Sequence, residues 1–156
     1  MPDDPEPVFR SVISLANDSY YTLYIGGVRD DIESDFLEID TQPVAQRTNI
    51  TFINAADIVE VVDEETEEAL SVNIYLLAVG ESLGGVSPQI TSVGFMDART
   101  VSIAKSPLLV VATETGATDN ILAGPEPVLP EQNYPIVVIR EAAGGGLPIN
   151  INTEGF

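Results

Sequence analysis

The chain has 156 residues, 44% of them hydrophobic, and carries 25 Asp and Glu against 6 Lys and Arg, a formal net charge of −19. This length suits one domain with one core, and the hydrophobic content separates the chain from disordered proteins of high net charge. The absence of Cys and His excludes disulfides, thiolate catalysis, imidazole bases and the usual zinc sites.

The net charge predicts the solvent in which the protein works. Many like charges on a small domain repel one another in dilute buffer, whereas at about 1 M salt the Debye length is about 3 Å and the repulsion is screened. An acidic surface on which Lys105 is the only lysine is therefore typical of a halophilic protein. The same sign argues against nucleic acid as a partner, because phosphate neutralisation needs clusters of Lys and Arg.

The N-terminal segment is predicted to be an extended arm, residues 1–7. Positions 2–7 hold three prolines and three acids, a composition that favours a solvated polyproline-like conformation. The segment lacks the basic and apolar regions of a signal peptide, and no run in the chain reaches the roughly 18 apolar residues that a membrane span needs. We therefore expect synthesis in the cytoplasm, without a signal peptide or membrane insertion.

Three strands are predicted in the first third of the chain, at residues 8–15, 20–25 and 46–54. Alternation of apolar and polar residues indicates the third, turn-forming residues 16–19 separate the first two, and Gly26-Gly27 is expected to end the second. Residues 29–40 form an acidic connection between the second and the third. Its short apolar segment is compatible with one helical turn and with a short edge strand.

The acidic connection also holds the candidate metal ligands. Carboxylates spaced closely in one loop can supply oxygen ligands to Ca²⁺ or Mg²⁺. The candidates are Asp30, Asp31, Glu33 and Asp35. They do not match the pattern of a calcium-binding loop, and a solvated acidic surface is the competing interpretation.

The acidic residues 63–68 lie between two apolar runs, residues 57–62 and 69–79. This arrangement predicts a β-hairpin with an acidic turn. A helix that begins at Asp63 is the alternative, since acids in a first turn favour the helix dipole. The second run has a period nearer 2 than 3.6 and many β-branched residues, which favours the strand. The turn is interpreted as a salt-adapted surface.

The second half of the chain predicts short strands and one long connection. Strands are expected at residues 89–95, 100–105, 107–113 and 135–141. Residues 114–133 are rich in Gly, Pro and Asx and are predicted to be a loop. Residues 144–146 are a glycine hinge that begins a C-terminal arm, residues 144–156, whose Ile149 and Ile151 are expected to dock on a neighbour.

The predicted elements amount to nine or ten short strands without a long helix. Strands separated by Gly, Pro and Asx turns are typical of an all-β, antiparallel β-sandwich, here one domain over residues 1–156. Eight main strands with a few long crossing loops favour a single jelly roll over an immunoglobulin-like sandwich.

No catalytic motif is present. The chain lacks a phosphate-binding glycine loop, a dinucleotide fingerprint and the base of a Ser-His-Asp triad, and without Trp it offers few aromatic platforms for sugars. We therefore expect neither an enzyme nor a cofactor. A compact β domain with extended arms that order on neighbouring subunits indicates a structural subunit.

The strand count, the size, the acidic composition and the two arms together resemble the single jelly-roll capsid proteins of internal-membrane icosahedral viruses of halophilic archaea. Within that group the chain is similar in size to the penton protein that closes five-fold vertices. The resemblance implies a virion structural protein, a capsid subunit at the five-fold penton or another minor capsid position. Its partners would be copies of itself, as in a pentamer, and other capsid or spike proteins. The alternative is a cellular haloarchaeal β-sandwich module that binds Ca²⁺ or carbohydrate.

Lowering the salt concentration is expected to destabilise the fold. Transfer from about 3 M to about 50 mM salt removes the screening of like charges, so the melting temperature should fall. The measurement is thermal unfolding followed by circular dichroism across this range. A melting temperature that does not change would contradict the halophilic assignment.

Overall fold

The computed structural model describes residues 10–28, 31–39, 46–63, 66–117, 119–128, 136–139 and 149–152. These residues form twelve β-strands and one short 3₁₀ turn, Leu83–Gly85. The strands are β1 Tyr20–Val28, β2 Asp31–Ile39, β3 Arg47–Asn54, β4 Val59–Asp63, β5 Thr66–Ala69, β6 Val72–Ala78, β7 Ile90–Val93, β8 Ala98–Ala104, β9 Leu108–Glu114, β10 Ile121–Val128, β11 Ile136–Ile139 and β12 Ile149–Asn152. None of the described elements is a helix with the length and apolar character that a membrane crossing requires.

Eight of the strands form two four-stranded sheets. The first sheet has the order β10-β9-β6-β7 and the second the order β12-β11-β3-β8. Every pairing in them is antiparallel except that of β11 with β3, which is parallel. The predicted all-β sandwich is confirmed, with one parallel pair in place of an antiparallel one. Whether its connectivity is that of a jelly roll or of an immunoglobulin-like sandwich stays a prediction.

The core lies between the two sheets and is built from alternate residues of their strands. Ile50 and Phe52 of β3 point into it from the second sheet, and Val72 and Ile74 of β6 point into it from the first, each fully buried. Side chains alternate between the two faces of a strand, so a period of two places an apolar set on the inner face. The alternation of inward apolar residues along each strand therefore determines which face of each sheet packs in the sandwich.

Strand β6 is buried on both faces. Its outward residues Tyr75 and Leu77 pack with Val111 of β9 beneath Leu83 and Val86 of the 3₁₀ turn segment. A strand that is covered on both sides needs apolar residues at nearly every position, which explains the unbroken burial of residues 72–77.

This burial corrects the predicted hairpin of residues 57–79. The described residues on either side of the predicted acidic turn do form a hairpin, but its strands are β4 and β5, which pair with each other. Strand β6 pairs instead with β9 and β7. An apolar strand gains more from a central position in a sheet than from an exposed two-stranded ribbon, so it leaves its neighbour in sequence for distant partners.

Strand β10 lies in the segment 114–133, for which a loop is predicted. Its pairing with β9 is irregular, with register shifts on both sides of Ala123, and it contains Gly124, Pro125 and Pro127. It is an outer strand, so prolines that lack an N–H are tolerated on its free side. The strong turn signals therefore mark an irregular edge strand rather than a loop.

Other predictions at the chain ends and turns are corrected or decided. Residues 10–15 of the predicted first strand are not a strand, and β1 continues through Gly26-Gly27 to Val28. Of the two alternatives for the acidic connection the strand is confirmed, as β2 over Asp31–Ile39. The N-terminal arm, residues 1–7, lies outside the described residues, as do residues 144–148 and 153–156. Residues 149–152 of the predicted C-terminal arm form β12, which pairs with β11 of the same chain, and Ile149 packs on the core.

Replacing Gly124 with alanine is expected to destabilise the sandwich strongly. Gly124 has φ of +92°, and a Cβ there would collide with the Val110 carbonyl oxygen and lie 3.2 Å from Cα of Val111. Backbone atoms cannot move away as a flexible side chain can, so we expect a loss of about 3 kcal/mol or more in the free energy of unfolding.

Gly116 provides the matched control, because its φ is +91° and a Cβ added to it would have no neighbouring atom within 4 Å. Gly116→Ala tests the backbone conformation alone, with an expected loss of about 1 kcal/mol. Chemical denaturation in high salt measures both variants. Equal losses would show that close backbone packing at Gly124 is not required.

Candidate interaction surface

The structure places the candidate metal ligands along a strand rather than in a loop. Asp30 lies outside the described residues, Asp31 is the first residue of β2, and Glu33 and Asp35 follow on one face, both exposed. Asp35 already accepts two hydrogen bonds, from the Tyr24 hydroxyl at 3.2 Å and from the Phe36 N–H at 2.8 Å. Among the described residues, no group of three or more Asp, Glu, His or Cys side chains comes together. The metal site stays a prediction.

Strands β1 and β2 form a hairpin with a regular register from Tyr20 opposite Ile39 to Val28 opposite Asp31. One face of this hairpin packs on the outer face of the second sheet around Ile53. Tyr24 and Leu37 of this face pack against Ile53 and its neighbours. The hairpin is thus an additional layer on the sandwich.

Tyr24 anchors the hairpin to the sandwich. Its hydroxyl lies 3.2 Å from Asp35 Oδ2 and 3.3 Å from the Met96 carbonyl oxygen, and both atoms accept from it. Burial, followed by the charge and hydrogen bond of Asp35 and the charge of Asp97, raises the pKa of Tyr24 to about 12. The neutral phenol is therefore the form that the folded protein stabilises.

A close approach beside Tyr24 requires a small residue. A Cβ on Gly26 would lie 2.7 Å from Met96 Sδ and 3.1 Å from Cε2 of Phe95. The glycine therefore lets β1 run directly over the turn that contains Phe95 and Met96. Strand β1 continues through Gly26, where the sequence pattern alone predicts an end.

The opposite face of the hairpin carries exposed apolar side chains. Leu23 is 50% exposed, Ile25 54% and Phe36 40%; we call these three residues the hairpin surface. Leu23 lies directly opposite Phe36 in the register, and the ring of Tyr21 meets that of Phe36 edge to face with centroids 5.7 Å apart. Neighbouring exposed apolar residues of this kind mark interaction sites.

The segment before the hairpin adds to its apolar character. Val12 is 93% exposed and Leu15 60%. The segment is joined to the hairpin by two hydrogen bonds: the Ala16 N–H donates to the Tyr21 hydroxyl at 3.1 Å, and the Ser19 hydroxyl donates to Glu38 Oε1 at 2.6 Å. Exposed aliphatic residues thus lie both on the hairpin and in the chain that leads to it.

No protein-family model matches the chain, and no curated protein and no solved structure matches it. We therefore infer function from the surface of the molecule itself. The signal for the hairpin surface is present in the sequence, where residues 20–25 carry apolar or aromatic side chains on both faces. Which face stays exposed depends on the sheet that the hairpin covers, and a local pattern does not contain that information.

Tyr24 predicts a loss of stability at alkaline pH. Its pKa is raised above the ordinary value of 10.0 to about 12 in the folded protein, so the unfolded chain loses its proton first. This contribution to stability is complete below pH 10 and is lost as the pH rises towards about 12. Wild type should lose more unfolding free energy between about pH 9 and about pH 11.5 than Tyr24→Phe does.

Chemical denaturation at the two pH values measures this difference. Tyr20→Phe is the matched control, since Tyr20 is half exposed and lies on the same strand; it should keep the full alkaline loss. Identical losses in wild type and Tyr24→Phe would show that Tyr24 does not hold its proton in the folded state.

Proposed function

We propose that the chain is a virion structural protein of a halophilic virus, a jelly-roll capsid subunit at the five-fold penton or another minor capsid position. The observation that carries this proposal is the hairpin surface, an exposed apolar face on an acidic domain. A capsid subunit needs such surfaces because its contacts form only on assembly. Its partners would be copies of itself and other capsid or spike proteins.

Concentrated salt suits this combination of apolar surface and negative charge. At multimolar salt the charges are screened, so like-charged subunits no longer repel one another at a distance. Exposed apolar area contributes roughly 25 cal/mol per Å² when it is buried, and excluded salts strengthen this effect. The conditions that permit acidic subunits to approach are therefore also those in which the hairpin surface associates.

The sandwich supports the proposal through its construction. Two packed sheets give a block with a fully buried core, and the hairpin adds a layer anchored by Tyr24. The hairpin surface is thus held at a fixed position on the sandwich. Shell subunits need contact surfaces of this kind, since a surface that is already ordered loses less conformational entropy when it binds.

The test is whether the chain is part of a particle. In particles banded at about 3 M salt, the chain should occur in a fixed ratio to the main shell protein. Leu23→Gln with Ile25→Gln removes apolar area from the hairpin surface without touching the core, and should reduce incorporation at least tenfold. The measurement is quantitative mass spectrometry of the gradient fractions.

Val79→Gln with Ile121→Gln is the matched control, because both residues are exposed and apolar and lie on other strands or turns. This variant should be incorporated as wild type is. Recovery of the chain among free cell proteins, or equal incorporation of both double variants, would contradict the proposal. A melting temperature that rises with Ca²⁺ at constant ionic strength would favour the cellular Ca²⁺-binding module instead.

A further inference from the structure

The two sheets of the sandwich end in four outer strands, and these differ in their capacity to pair with another chain. Outer strands expose backbone N–H and C=O groups that can template a further strand. Strands β7 and β12 have four residues each, and β10 contains prolines and register shifts. Strand β8 has seven residues and an uninterrupted register with β3. It is the regular edge among the four.

The hydrogen bonds at both ends of β8 show which of its backbone groups face outward. The Asn54 N–H donates to the Asp97 carbonyl at 3.1 Å, and the Lys105 N–H donates to the Gln46 carbonyl at 3.2 Å. Antiparallel pairing alternates along a strand, so the backbone groups of the even-numbered residues 98–104 point to the free edge. Within the described part of the chain, the N–H groups of Thr100, Ser102 and Ala104 have no backbone partner there.

Basic residues lie at both ends of this edge strand. Arg47 is the first residue of β3, Arg99 lies in β8, and Lys105 follows β8 directly. These are three of the chain's six basic residues. Arg99 keeps an ion pair with Asp97 at 2.7 Å, and the Arg47 guanidinium donates to Ser102 at the free edge. With Asp97 counted against these three basic residues, this edge keeps a formal charge of +2 on a protein of net charge −19.

The sign of these charges determines whether they prevent or favour pairing with a second copy of the chain. Charged residues on an outer strand prevent pairing when an approaching copy carries the same charge. A copy of this chain is strongly acidic, so the basic residues of β8 attract it instead. Two β8 edges facing each other would bring basic residues against basic residues, which is unfavourable. An acidic strand with a free edge is the complementary partner.

We propose that the free edge of β8 pairs with the free edge of β2 of a second copy of this chain. Strand β2 has nine residues in regular register with β1, its one partner among the described strands. Glu33, Asp35 and Glu38 are exposed along it. Strand addition of this kind takes its affinity from main-chain hydrogen bonds, and the charges select the partner and orient it.

The interface joins two different surfaces, so it is heterologous. Heterologous contacts form a ring when the rotation closes, which is the geometry of subunits around a five-fold axis. The inference rests on the proposed function in this respect, since it says how copies of a capsid subunit would meet. The inference specifies which two strands, β8 and β2, form the contact between copies.

Two charge-reversal variants of the full chain test the pairing by sedimentation velocity in about 1 M KCl, where long-range repulsion is screened but ion pairs in contact persist. Arg99→Glu with Lys105→Glu alters the β8 edge, and Glu33→Lys with Glu38→Lys alters the β2 edge. Wild type should form rings or chains, and each variant alone should associate at least tenfold more weakly. Their mixture should associate as wild type does, with the two variants in equal amounts, because each intact β8 edge meets an intact β2 edge and the two reversed edges are again opposite in charge.

A backbone variant tests the strand pairing itself. Thr100→Pro removes an N–H from the free edge of β8 and should weaken self-association at least tenfold. Thr100→Ala is its control, because it loses the same hydroxyl contact with Thr51 at 2.9 Å but keeps the N–H; it should associate as wild type does. Equal association of the proline and alanine variants, or no restored association in the charge-reversal mixture, would overturn the inference.

These outcomes separate the inference from the proposed function. If the chain occurs in particles but the β8 variants self-associate normally, the pairing of β8 with β2 is wrong and the capsid role stands. If association is restored when the charge-reversal variants are mixed but the chain is missing from particles, the pairing stands and the capsid role is wrong.

Discussion

The side chain of Asn54 is fully buried where the two sheets are joined. Asn54 ends β3 of the second sheet, and its Nδ2 donates to the carbonyl of Val93, the last residue of β7 in the first sheet, at 3.2 Å. Its Oδ1 accepts from the Ala56 N–H at 3.2 Å. An unpaired amide in this position would cost about 1–3 kcal/mol, so the arrangement holds only while both sheets and the following turn keep their places.

The backbone of Asn54 extends this connection to the rest of the molecule. Its N–H donates to the Asp97 carbonyl at 3.1 Å, and its carbonyl accepts from the Met96 N–H at 2.7 Å. The Met96 carbonyl accepts a hydrogen bond from the Tyr24 hydroxyl, and the Met96 side chain lies next to Gly26. Asp97 forms an ion pair with Arg99. The hairpin surface and the basic edge of β8 are therefore both positioned from the same turn. A substitution of Asn54 would therefore alter the position of both surfaces.

In the first sheet, side chains satisfy backbone N–H groups of β6 that have no strand partner among the described residues beyond β7. Beyond the short β7, the N–H groups of Leu76 and Ala78 would be free, but Gln89 Oε1 accepts from the first at 2.6 Å and Glu81 Oε2 from the second at 2.7 Å. Asn73 likewise accepts from the Ser92 N–H at the irregularity between β6 and β7. On β8 the covering side chain is Arg47, which occupies the Ser102 carbonyl. Within the described residues the N–H donors of Thr100, Ser102 and Ala104 at that edge have no backbone acceptor, and this asymmetry is why we propose association through the second sheet.

Local patterns in the sequence are sufficient to place strands such as β3, β6 and β9, because alternate or continuous apolar residues are required by burial on one or both faces. They fail at β10, where glycine and prolines are accommodated by an irregular edge, and at the pairing of β6, whose partners are distant in sequence. The candidate surfaces depend on the same distant pairings. Arg47 and Arg99 are 52 positions apart in the chain and come to lie at opposite ends of one strand pair through the pairing of Phe52 with Arg99 and of Arg47 with Ala104. The composition specifies how few positive charges the chain has; the register of β3 with β8 places half of them along one strand pair and the residue after it.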